Sequence, residues 1–382
     1  MKIIKNFAIN LDSKTREQFD NCCEETFVHK ASLMPDAHYG YVAPIGSVLI
    51  TIDHIVPSWV GYDIGCGMIA CKFVKENIVN EINLNSKIIF DKVNVQIPMG
   101  KGKVRSNKSV SRKTQDEFDK ILKQFKNGPY AKDVLNMIES KSLLHLGTLG
   151  SGNHFIELGF DSNNKNVLWL IIHSGSRGVG HTVATHYMKK AADKNKEFEK
   201  TFSLETNSLK GKEYLNVLNF GLEFALLNRL EMAYKVRNVL RNVLEDEKLD
   251  FELWVNKNHN HIAFENGEYI HRKGATPAKL KERGVIPANM RDGSFLVEGL
   301  GNEEFLNSSS HGAGRRLSRS QAKTEISMKD FEKSMKGIVG KIDHTTLDEA
   351  PEAYKNIYDV MEAQKESVKA IAQIKPIINW KG

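Results

Sequence analysis

The sequence predicts a mixed α and β fold, built as one compact unit over residues 1–382. Two observations predict it. Short β-branched apolar runs share the chain with long stretches of helical periodicity, without a strict strand–helix–strand rhythm. No internal repeat or low-complexity linker divides the chain. Taken in order, residues 42–51 are mostly apolar and β-branched and read as a strand. Residues 114–125 carry a polar helical pattern. Val167, Leu168, Trp169, Leu170, Ile171 and Ile172 read as a buried strand running into His173-Ser174-Gly175-Ser176-Arg177-Gly178. Leu215, Leu218, Leu222, Leu226 and Leu230 recur at helical spacing in a long helix ending near Glu245. Residues 349–374 read as mainly helical, with Pro351 near the start.

Composition narrows the function classes. Hydrophobic residues are 41% and charged residues 26%, an ordinary globular balance that excludes a disordered chain. The formal charge of +7 leans toward an anionic partner such as nucleic acid or nucleotide. No apolar run is long enough to span a bilayer, and the first residues lack the apolar core and cleavage site of a secretory signal. A soluble, cytoplasmic protein without membrane association is expected. The cysteines Cys22, Cys23, Cys66 and Cys71 are too few for a disulfide scaffold, and only Cys66 sits in glycine-rich sequence near a carboxylate. Lys101, Lys103, Arg105, Lys108, Arg112 and Lys113 form a basic stretch that is either a solvated loop or a contact for a phosphate backbone.

The chemistry-bearing residues fall in separate clusters. In Ser308-Ser309-Ser310-His311-Gly312-Ala313-Gly314-Arg315-Arg316, small residues surround one imidazole and two guanidiniums follow it. Small residues let a bulky anion approach the backbone, arginine binds its oxygens, and a histidine there is a nucleophile for phosphorus. The same run alone is more often a glycine-rich turn with solvated arginines. Asp63 and Cys66, in Gly61-Tyr62-Asp63-Ile64-Gly65-Cys66-Gly67-Met68, can point at one ion. Asn153-His154-Phe155-Ile156-Glu157, His173 and His259 add imidazoles and a carboxylate. Each histidine alone is ordinarily a hydrogen-bonded structural residue. Together Asp63, Cys66, His154, His173 and His259 make a mixed O, S and N donor set, without the paired cysteines of a structural zinc site. Dispersed ligands suit an open catalytic site, and softness alone favours zinc. Near the chain's end, Lys381 follows the apolar residues 374–378; a frayed terminus and a docked ammonium are both open readings.

The clusters together resemble the RtcB family of RNA ligases. The resemblance is carried by Met34-Pro35-Asp36-Ala37-His38-Tyr39-Gly40, Val60-Gly61-Tyr62-Asp63-Ile64-Gly65-Cys66-Gly67-Met68 and residues 146–157. It continues through residues 173–178, His259-Asn260, His271-Arg272-Lys273-Gly274-Ala275-Thr276, the run around His311, residues 350–355 and Lys381-Gly382. These stretches occur in the family's order over nearly the whole chain. The resemblance implies an RtcB-type fold with central β-sheets flanked by helices, forming a single catalytic domain. It implies a ligase that uses GTP and two manganese ions (Mn2+) to join an RNA 3′-phosphate or 2′,3′-cyclic phosphate to a 5′-hydroxyl. The RNA would be tRNA halves in splicing or cleaved RNA in repair, and an activating protein partner is compatible with it. One ion would be held by Asp63, Cys66 and His259, the other by Cys66, His154 and His173. His311 would carry the guanylyl group. Asn153, Glu157, Ser310, Gly312, Gly314, Tyr354 and Lys381 would bind the nucleotide, with Arg177 on substrate phosphate.

This chain departs from the family's pattern at Ser309, where many members have cysteine, at residues 291–296, and at Asn379-Trp380. The donor set and His311 are unaffected. Two other readings use the same residues. A metal-dependent phosphodiesterase or phosphatase would need the ligands without a guanylylated histidine, and a non-catalytic RNA-binding protein would need neither.

Overall fold

The strand Val167–Ser174 is buried along its whole length, and its alternation organises the molecule. Leu168, Leu170 and Ile172 pack with Met232, Val236 and Leu240 of the long helix Leu209–Val243. Val167, Trp169 and Ile171 face the opposite side, with Met68, Val255, Val285, Leu296 and Ile374. A strand covered on both faces needs apolar residues at every position, which is why this segment reads as a continuous apolar run rather than an alternating one. The computed structural model describes residues 2–106, 110–161, 164–193 and 197–382, so Lys108 of the basic stretch lies outside the described residues.

Val167–Ser174 belongs to a sheet ordered Arg283–Pro287, Ser294–Gly299, Val368–Lys381, Phe155–Asp161, Val167–Ser174, Gly67–Val74, Phe251–Asn258. Neighbours along that order run antiparallel, and Val339–Gly340 adds a short parallel pairing to Val368–Lys381. The sheet curls until its outer strands meet. The Arg283 guanidinium lies 5.3 Å from the Trp254 ring centroid, and Lys257 pairs with Glu282 at 2.5 Å. Its convex face is covered by the long helix and by Ile78–Leu84 and Ser86–Gln96. A second sheet orders Ile3–Asn6, Val28–His38, Ile45–Thr51, Glu268–Lys273 and Asn260–Glu265. The short pair Ala275–Pro277 and Ser308–Ser310 brings His311 against it. The fold is mixed α and β with sheets flanked by helices, as expected.

Several elements match their sequence reading, and one does not. The expected strand at 42–51 starts at Ile45, and the helix expected at 114–125 runs Arg112–Asn127, capped by the Ser111 hydroxyl. Arg112 and Lys113 therefore sit on a helix, while Lys101, Lys103 and Arg105 lie in the preceding loop. In the long helix Leu218 is fully buried, but Leu215, Leu222, Leu226 and Leu230 only flank a stripe of Val217, Gly221, Phe224, Ala225 and Met232. The expectation of helix over 349–374 is corrected. After two turns of 3₁₀ helix and the helix Ile357–Ala363, the chain becomes the strand Val368–Lys381. Val368, Ile371, Ile374, Ile377 and Ile378 favour the pleated conformation, and the pairing with Phe155–Asp161 shifts register between Pro376 and Ile378, where proline lacks a ladder N–H.

Candidate active site

The donor residues meet because neighbouring strands end at the same place. Cys66 precedes Gly67–Val74, His154 precedes Phe155–Asp161, His173 lies near the end of Val167–Ser174, and His259 follows Phe251–Asn258. These four strands are consecutive and antiparallel in the curled sheet, so the four side chains gather at one end. Asp63 joins from the turn before Cys66, whose N–H donates to the Asp63 carbonyl at 3.1 Å. Gly175 faces that turn, and a Cβ there would lie 2.1 Å from Asp63 Oδ1.

Two overlapping trios result. Asp63, Cys66 and His154 offer ligand atoms within 4.8 Å of one another, and so do Cys66, His173 and His259. His154 Nε2 lies 2.9 Å from Asp63 Oδ2 and 3.4 Å from Cys66 Sγ; His173 Nε2 lies 3.2 Å from Cys66 Sγ and 3.2 Å from His259 Nε2. Cys66 belongs to both, the bridging place the resemblance implies, while His154 groups with Asp63 and His173 with His259. The Nδ1 atoms of His154 and His173 face the Leu149 and Asn153 carbonyls at 3.0 and 3.2 Å, which turns each Nε2 inward. Burial holds His173 and His259 well below the usual imidazole range, keeping them neutral, and with the Asp63 charge it pushes the Cys66 thiol up. A bound cation would displace that thiol proton. The donor chemistry and spacing fit two cations sharing a thiolate.

Two residues that sequence reading passed over hold the donor loops together. Asn228 Oδ1 accepts from the Gly147 and Thr148 amides, and its Nδ2 donates to the Thr148 and Gly175 carbonyls. Arg229, fully buried, donates to the Gly65 and Ser174 carbonyls and to the Asn256 and Asn258 side chains. Their signal was a pair of polar residues between Leu226-Leu227 and Leu230 in a largely apolar helix.

His311 lies beside the donors, its ring centroid 4.8 Å from that of His259. Its partner is Asp36, fully buried in the strand Val28–His38, a residue to which the sequence reading gave no role of its own. Asp36 Oδ2 stands 2.7 Å from His311 Nδ1, although the N–H does not point along that line, and it accepts from the His311 and Gly312 amides at 3.2 Å each. Burial alone would raise the Asp36 carboxyl, but the adjoining His311 imidazole, with His38 and Lys355, holds it below its ordinary value. Ser310 Oγ accepts from the Asp36 amide at 3.3 Å. Gly314 has φ +75, and a Cβ there would lie 2.1 Å from the Asp36 carbonyl oxygen. The Gly312 amide is thus engaged by Asp36, while Gly314 allows the close passage of two segments.

Lys381 is docked. As part of Val368–Lys381 it pairs with Phe155, is 9% exposed, donates to the Asn153 carbonyl at 3.3 Å and meets Glu349 Oε2 at 2.6 Å. Glu349 is a hub: Arg315 and Arg319 reach its Oε1 at 3.2 and 2.5 Å, and the half-buried Tyr354 donates its hydroxyl to Oε2 at 2.6 Å. Burial would raise Glu349, but Lys381, Arg319 and Arg315 pull it down to about 2. Arg315 is therefore committed to Glu349 and the Asp348 carbonyl rather than free for phosphate, and Arg316 donates to the Glu352 carbonyl. Glu157 is buried nearby, raised to about 8 by desolvation, with Ser294 Oγ and Asn379 Nδ2 at 3.1 and 3.4 Å. Ser294 and Asn379 come from the two segments that depart from the family pattern, and they converge on this carboxyl. The Asn153 side chain is exposed. Arg177 begins the helix Arg177–Ala191 with φ +59 and reaches back to Thr148 Oγ1 at 3.4 Å.

The family described as "tRNA-splicing ligase RtcB" matches residues 18–382 of this chain. The "RNA-splicing ligase RtcB" of Escherichia coli (strain K12) is 32% identical over 398 residues, covering 98% of this chain and 96% of the relative. A "tRNA-splicing ligase RtcB" of Nanoarchaeum equitans is 30% identical over 431 residues, covering 92% and 87%.

Proposed function

The chain belongs to the RtcB family, and from that premise we propose that it is a manganese- and GTP-dependent RNA ligase acting through a histidine–guanylate intermediate. The observation that carries the reading is His311, backed by the buried Asp36, standing next to the donor set at His259. Cations in the two trios would neutralise phosphoryl oxygens and orient the displacement. The residues divide the remaining work. Asp36 faces Nδ1 of His311, which leaves Nε2 as the atom that attacks the α-phosphorus of GTP; the P–N bond forms and pyrophosphate leaves. An oxygen of the RNA 3′-phosphate then takes the guanylyl group from His311. The 5′-hydroxyl attacks that activated phosphate, its proton is lost to solvent or base, and GMP departs. A 2′,3′-cyclic phosphate is first opened by water to the 3′-phosphate.

Nucleotide choice follows from Glu157. Glu157 is protonated in the free protein; ionised on nucleotide binding, its carboxylate would accept from the ring N–H and exocyclic amine of guanine, a donor pair that adenine lacks. Ser294 and Asn379 fix its orientation, Tyr354 would stack on the base, and Lys381 would offer a donor. Arg177 positions substrate phosphate. Tests with α-labelled GTP and manganese should place an acid-labile label on the protein, and His311→Ala should remove it while the chain remains folded by circular dichroism. An unlabelled wild-type protein that still opens cyclic phosphate would establish the phosphodiesterase reading instead.

A further inference from the structure

Beside this site several aromatic rings are exposed among the described residues. Tyr39 and Tyr41 are 57% and 72% exposed. Tyr41 meets Tyr62 edge-on at 5.5 Å, and Tyr62 stacks on exposed His181 at 4.7 Å with only 16° between the planes. The rings form a ladder, and each rung is attached to the chemistry. Tyr62 immediately precedes Asp63. His181 lies one helical turn beyond Arg177. Tyr39 follows His38, whose ring lies 6.3 Å from that of His311.

Tyr39, Tyr41 and His181 are exposed and Tyr62 partly so, yet the rings are held. Gln18 donates to the Gly40 and Tyr41 carbonyls and accepts from the Gly40 amide, pinning the loop. Tyr62 donates its hydroxyl to Glu199, which fixes the ring. A cation stands alongside, with Lys141 Nζ 2.6 Å from Thr182 Oγ1. Fixed aromatic faces with a cation nearby, leading away from a phosphoryl-transfer centre, match the way single-stranded nucleic acid is held: bases stack on rings and phosphate meets positive charge.

We propose that Tyr41, Tyr62 and His181 form a stacking ladder for the unpaired bases next to the RNA end being joined, with Tyr39 extending it. The inference rests on the RNA-ligase reading and adds a subsite to it. Stacking uses the π-face that all bases share, so the subsite is tolerant of sequence and depends on the presence of a base.

The probes are short single-stranded RNAs, one ending in a 3′-phosphate and one starting with a 5′-hydroxyl, each with 2-aminopurine in its last two nucleotides at the reacting end. The full chain should quench the fluorescence of at least one of them. Tyr41→Ala and His181→Ala should relieve the quenching and weaken binding at least about 5-fold, the lower end for one base–aromatic stack. Tyr41→Trp should restore both. An abasic nucleotide at the same place should weaken wild-type binding equally. Guanylylation with α-labelled GTP, measured in parallel, should be unchanged in the variants. RNA binding without quenching, or with affinity indifferent to Tyr41→Ala and His181→Ala, overturns the ladder while a labelled His311 keeps the ligase reading. Absence of RNA binding overturns the ladder too, and absence of label as well brings down the ligase reading with it.

Discussion

Two buried polar clusters sit side by side in this molecule, and they are satisfied in opposite ways. In the Asp63–Cys66–His154–His173–His259 cluster the side chains turn their acceptors toward one another, down to two imidazole Nε2 atoms 3.2 Å apart. In the Glu349 cluster each acceptor oxygen already meets a cation or hydroxyl, from Lys381, Arg315, Arg319 or Tyr354. Buried polar groups are stable when paired and costly when not. The first cluster therefore keeps donor atoms that could take up cations. The second is complete by itself, and its contribution is to hold Lys381 at a set place beside the Asn153 carbonyl.

Removing a shared donor should separate the two most sharply. Cys66→Ala takes a ligand from both trios, so manganese should no longer raise the melting temperature, and ligation should fall by roughly 10³-fold or more. An unchanged thermal response to manganese would show that the trios are not the cation site. Glu349→Gln tests the self-satisfied cluster. Leaving Lys381, Arg315 and Arg319 without their carboxylate should cost about 3–5 kcal/mol in urea unfolding, the range for breaking a buried ion pair. A loss below about 1 kcal/mol would mean that the network is loose.

Asp36→Asn should slow guanylylation by roughly 100-fold, because the His311 ring loses its orienting charge. Stability should change much less, since the amide oxygen still accepts backbone N–H bonds. A normal labelling rate would remove Asp36 from the chemistry. The smallest effects are in the pH dependence of stability. Glu349 is held at about 2 against an ordinary 4.5, so its contribution is present above pH 4.5 and lost as pH falls toward 2. Glu157 has the opposite sign: raised to about 8, it favours folding while protonated and loses that contribution as pH climbs from 4.5 through 8. Glu157→Gln should flatten the decline between pH 5 and 8 in thermal melts and leave the acid limb unchanged.

The contrast also explains what could be read from sequence. Residues whose chemistry is unusual for their surroundings were legible. Asp63 and Cys66 in a glycine-rich turn, His173 closing an apolar strand and His311 among small residues all stood out. Residues whose meaning lies in a distant partner did not. Asp36 stands in a stretch that carries the resemblance but shows no role of its own until His311 arrives, and Glu349 reads as a helix-former until Lys381 arrives. Asn228 and Arg229 look like solvent-facing helix positions until the sheet closes over them. The tail was misread for a related reason. Its lysines and alanines suit a helix, and only pairing with Phe155–Asp161 and Ser294–Gly299 rewards its β-branched residues for lying extended.

That tail strand bears on how the protein reaches its working state. Lys381 and its carbonyl partner on Asn153 are 228 residues apart in the chain, yet their segments lie next to each other in the middle of the curled sheet. Closing so long a loop loses chain entropy before any contact compensates, and topologies dominated by such pairings fold slowly. The hairpin-like neighbours Phe155–Asp161 and Val167–Ser174 can zip early, whereas the ammonium arrives only when the gap between Phe155–Asp161 and Ser294–Gly299 is filled. Competence for nucleotide should therefore lag behind competence for cations during refolding, so that ion binding and nucleotide binding report on successive stages of one maturation.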